Sequence, residues 1–133
     1  MSALTNHGEN GVVNALLRGA SLPSTWYIAL ATAVADAEAG TFTECAGTGY
    51  ARESIAVGTG TWDAASSGRG DNTSVIDFGT AGAGDWGTLT HAVFMDAASS
   101  GNAWIVVALT TPKAINNGDP VTFPAGSLGV TGA

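Results

Sequence analysis

Two hydrophobic periodicities follow one another along the chain, and they predict different elements. In the first twenty residues Val12, Val13, Leu16 and Leu17 recur at helical spacing and fall on one face. Asn6, with Glu9 three residues later, has the reciprocal capping arrangement that starts a helix, and Gly19 supplies the residue that ends one. Such a helix has about three turns, too few to be stable alone in water, so it needs a surface to lie against.

After Pro23 the period changes to two. In Thr25 to Thr32 (TWYIALAT), Trp26, Ile28 and Leu30 alternate with Tyr27, Ala29 and Ala31, which predicts a strand with the bulkier set facing the core. Further strands are predicted at YARESIAV, TSVIDF, LTHAVFMD, AWIVVAL and PVTF, with a short SLGV near the end. Ala97 to Asn102 and Asn116 to Asp119 carry the Ser, Gly, Asn and Asp residues of hairpin turns. Ala33 to Gly49 has no sustained period, carries Asp36, Glu38 and Glu44, and reads as a long surface loop. About seven short strands with this punctuation predict an all-β fold, a β-sandwich or jelly-roll-like domain with a short N-terminal helix. The expected organisation is one domain over residues 1–133, with a helical arm over 1–20 and the sandwich over 21–133.

Composition then narrows the function. Of 133 residues 45% are hydrophobic and only 11% charged, against about 25% charged in an average soluble domain. A surface so poor in charge suits a chain that packs against other subunits. Eleven acidic residues against four basic ones give a net charge of -7, and Arg18, Arg52, Arg69 and Lys113 are scattered along the sequence. Neither nucleic acid nor an anionic membrane is an expected partner of such a chain. Cys45 is the sole cysteine, so no intrachain disulfide and no Cys/His metal cluster is expected. The N-terminal sequence lacks the pattern of a secretory signal and no apolar run approaches a bilayer span, which predicts synthesis in a cytoplasm.

The chemical motifs are weak. Gly82 to Gly87 (GAGDWG) matches a dinucleotide-binding spacing, but a strand rather than the required helix follows it; the glycines instead let Trp86 turn into the core or an interface. His91 is expected on one strand face in phase with Leu89, Val93 and Met95, without a nucleophile elbow nearby. Cys45 has no adjacent cation to activate it and reads as an inert loop residue. Glu44 with Glu53, or Asp36 with Glu38, would serve glycoside hydrolysis only across a cleft, and solvated acids are commoner. Asp36, Glu38 and Glu44 lack the spacing of a calcium loop. The expectation is therefore no catalytic residue, no cofactor, no metal and no enzyme. Trp26 and Trp104 lie inside apolar strands and read as core, whereas Trp62 and Trp86, beside Asp and Gly, read as surface aromatics. Arg69-Gly70-Asp71 and the following sequon Asn72-Thr73-Ser74 spell adhesion and glycosylation signals, yet the glycines and Asp71 or Asn72 describe an exposed turn equally well.

Taken together, ENGVVNALLRG, WYIALATA, GYARESI, DWGTLTHAVFMDAASSGN and ALTTPKAINNGDPVTFPAGSL resemble a family of small proteins from the structural-gene clusters of tailed bacteriophages. The resemblance runs from about Leu4 to Leu128. It implies a virion component, of the head-decoration or tail-fibre-like kind, with no catalytic motif to carry across. The expectation is a capsid decoration (cement) protein that binds the major capsid protein and other virion subunits, as a homo-oligomer or in many copies. A tail or tail-fibre component and a carbohydrate-binding module are the alternatives. Val12, Val13, Leu16, Leu17, Trp62 and Trp86 are the candidate interface residues.

Overall fold

The three longest apolar runs of the chain lie side by side in one sheet. In the computed structural model, which describes residues 2–132, they form β2 (Thr25–Asp36), β7 (Gly87–Met95) and β8 (Ala103–Ile115), the centre of a six-stranded sheet. β1 (Ser2–Leu4) lines the free edge of β8, and α1 (Asn6–Arg18) follows it directly. The other edge of β2 is shared: β4 (Glu53–Ala56) pairs with its first half and β3 (Thr41–Glu44) with its second. Two antiparallel ribbons complete the fold, β5 (Arg69–Asp71) with β10 (Gly129–Thr131) and β6 (Ile76–Thr80) with β9 (Pro120–Phe123). The protein is all-β with one short helix, and every strand pair is antiparallel.

Alternation assigns the faces. Ile28 and Leu30 of β2, Phe94 of β7, and Ile105 and Val107 of β8 share the main core with Ile76, Phe78, Val121 and Leu128 from the ribbon side. As expected, the bulkier set of β2 faces this core. The opposite set, Ala29 and Ala31, is equally sealed, with Val93 and Val106 beside it and Val34, Ala37 and Phe42 of the β2–β3 hairpin packed on them. Small residues here let the hairpin come down close onto the sheet.

Several expectations are corrected. Ala33 to Gly49 is not one long loop: β2 continues to Asp36 and returns as β3. Register shifts at Ala31/Ala33 and Val34/Asp36 break the alternation that would have revealed the strand. The N-cap of α1 is Thr5, not Asn6; the Gly8 amide donates to its hydroxyl at 3.0 Å, and that hydroxyl donates to the Ala103 carbonyl at 2.6 Å. Gly19 ends the helix in the left-handed conformation, as expected. His91 is out of phase with Leu89, because a register shift between them sends Leu89 into the main core while Val93 and Met95 face the other side.

The adhesion-like tripeptide is strand β5. Ser67 and Gly68, both at positive φ, make the turn, and Ser66 and Arg69 exchange backbone hydrogen bonds across it. Arg69 and Asp71, two apart on one strand face, are joined by an ion pair at 2.7 Å. Asn72 of the sequon is buried, its amide donating to the Ser74 and Pro124 carbonyls and its carbonyl accepting from the Leu128 amide.

Candidate assembly surface

The helix is turned opposite to an ordinary amphipathic one. Gly8 and Gly11, one turn apart, face the sheet; a Cβ at Gly8 would overlap the Trp104 carbonyl and one at Gly11 would overlap the Trp104 ring. The side-chain-free face lets the helix axis approach the sheet, and Thr5 pins its start. The His7 ring stands perpendicular to that of Trp104, which is fixed in turn by Asp96 at its indole nitrogen and by the Trp26 ring. The aliphatic residues consequently point away from their own domain. Leu16 and Leu17 are 78% and 79% exposed and Val13 is 51% exposed, while Val12 is half-buried.

Trp26 also lines an open cleft of about 630 Å³ to which no residue of α1 contributes. Phe94 and Ile105 belong to the main core, Trp26, Trp62 and Val130 pack against it half-buried, and all five line the cleft with Val57. Trp62 packs against Phe94 at a ring separation of 5.6 Å. Its indole N–H is buried and has no acceptor among the described residues. Asp63 is the one charged residue on the lining, and its carboxylate makes no ion pair among the described residues.

Trp86, read both as turned inward by its glycines and as a surface aromatic, is 3% exposed, which bears out the first reading and corrects the second. Gly47 supplies a seat in which a Cβ would collide with the indole, and the indole nitrogen donates to the Thr48 carbonyl at 2.9 Å. Two glycine-rich segments thus build a core position that neither shows by itself. Cys45 is buried beside it, with its thiol near the Trp86 carbonyl and pushed up in pKa by burial.

The polar cluster nearest these segments is structural. Arg52 binds Glu44 with two parallel bonds of 2.9 Å, and its remaining nitrogen holds the carbonyls of Ala97 and Ser100, each at 2.8 Å. Tyr50 donates to Glu44 at 2.7 Å and accepts the Leu30 amide at 2.9 Å. Burial raises the Glu44 carboxyl, but the bonds from Arg52 and Tyr50 outweigh it and leave the pKa lowered. The Tyr50 hydroxyl is raised by burial and by that carboxylate. Every polar atom of the cluster is thus committed to bracing β2 and the β7–β8 turn. The His91 ring nitrogen lies 2.7 Å from the Thr90 hydroxyl, and burial lowers its pKa.

Among the described residues no three His, Cys, Asp or Glu side chains converge as metal ligands, and no helix is long and apolar enough to cross a membrane. No curated protein matches the chain. A family model described as "Podophage GP4 fiber I protein gp80" matches residues 3–131. The resemblance to phage virion components thus holds over nearly the whole chain, which belongs to the podophage GP4 fiber I protein gp80 family.

Proposed function

We propose that this chain is a structural subunit of a fibre on a podophage virion, and that it joins its neighbours through the outer face of α1. One observation carries the reading: the helix seats glycines inward and presents Val13, Leu16 and Leu17 outward. Burying a leucine or valine side chain yields about 1.5–3 kcal/mol. Three of them on a pinned helix supply a meaningful part of a subunit contact after ordering costs, which are small because the helix is already fixed. The family description favours a fibre over the expected head decoration, and a low-charge surface suits either assembly.

Copy number and position in purified virions test this. Antibody labelling at the tail, with few copies per particle on quantitative gels, is the expected result. Labelling spread over the head, with loss of heat and osmotic resistance in particles lacking the chain, would instead make it the capsid decoration protein.

A further inference from the structure

We infer that the subunit on which α1 docks is a second copy of this chain, whose aromatic cleft receives Leu16 and Leu17. The ridge cannot serve its own cleft, because Gly8 and Gly11 hold the opposite side of the helix against Trp104. Any contact between this ridge and this cleft therefore joins two copies. A cleft of about 630 Å³ lies within the roughly 300–1,000 Å³ of ordinary binding pockets. Trp26, Phe94 and Ile105 give its lining an apolar surface on which branched aliphatic side chains can be buried.

Charge selects this partner. Of the four cations, Arg52 is paired with Glu44 and Arg69 with Asp71; Arg18 and Lys113 make no ion pair among the described residues. Arg18 follows Leu17 directly and is exposed. The cleft has the complementary charge, Asp63, also exposed and unpaired. In a chain of net charge -7, most copy-to-copy approaches place acid against acid. Seating Leu16 and Leu17 in the cleft with Arg18 at Asp63 places opposite charges at the rim of an apolar centre, the arrangement of specific interfaces. Reciprocal exchange closes a two-fold pair, and one-way exchange builds a ring or a row.

The inference rests on reading α1 as an assembly contact, and purified full-length chain tests it separately. Sedimentation over a concentration series should show association above the 13.2 kDa monomer. Arg18→Asp and Asp63→Arg should each weaken it about three- to tenfold, and the double swap should recover wild-type association to within about twofold. Leu16→Ser with Leu17→Ser should leave a monomer that melts like the dilute, monomeric wild-type chain. A wild-type chain that stays monomeric, or a double swap without recovery, overturns the inference. So does a cleft that binds glycans on an array while the chain stays monomeric. If the wild-type chain is monomeric but the serine variant is lost from virions, the helix remains an assembly contact and only the choice of partner fails.

Discussion

Gly8 lies against the main-chain carbonyl of Trp104 with no room for a single added carbon. Alanine at a helix position ordinarily improves on glycine by about 1 kcal/mol. Here the obstacle is backbone, which cannot swing aside, and overpacking costs of up to about 3 kcal/mol apply. Gly8→Ala should therefore lose about 2 kcal/mol in urea denaturation; a gain in stability would mean that the helix rides higher above the sheet.

The exposed side of the same helix behaves oppositely. Leu16→Ala and Leu17→Ala touch no core, so each should stay within about 0.5 kcal/mol of wild type in a thermal melt. A larger loss in protein dilute enough to be monomeric would show that these leucines pack within the domain.

Trp62 and Trp86 should separate under the same conservative change. Trp62→Phe removes a buried donor that lacks an acceptor, a defect worth about 1–3 kcal/mol, which offsets the ring area lost; stability should change by less than about 1 kcal/mol. Trp86→Phe forfeits the bond to Thr48 and leaves space beside Gly47, so a loss of about 2 kcal/mol is expected. Urea midpoints for the pair check this, and equal costs would contradict it.

Acid stability should follow Glu44. Its pKa is lowered in the folded chain below the ordinary 4.5, so the unfolded state binds more protons in the window between the two values. The stabilisation is complete above 4.5 and is lost as pH falls through the folded value. Glu44→Gln should flatten the decline of the denaturation midpoint in that range. An unchanged slope would assign the decline to other carboxyls, Asp96 first, since its pKa is also lowered, with bonds from Asn102 and Trp104 outweighing burial.

The fold was legible where long runs obey one period. β2, β7 and β8 announce themselves, and Ile28 and Leu30 mark the core face without help from the structure. β3 was hidden by bulges that spoil the alternation, and β5 by its three residues, whose register comes from distant β10. Trp86 looked exposed because its neighbours are Asp85 and Gly87; the glycine that buries it, Gly47, belongs to another segment. For the helix, periodicity identified one apolar face but not its direction. Gly8 and Gly11 on the other face were the available signal, since glycines three apart mark a side meant for close approach. The cleft was not legible, because its floor and walls come from six separate stretches of chain.

The seat of α1 also imposes an order in time. Ser2 to Leu4 pair with Ile105 to Val107, and Thr5 closes on the Ala103 carbonyl. The partners of this seat lie 98 positions apart in the chain, and a contact spanning so much chain forms late in folding. A polypeptide that stops before Trp104 has nothing to hold the helix in place, so only chains in which β8 has formed can offer the leucine ridge to an assembling particle.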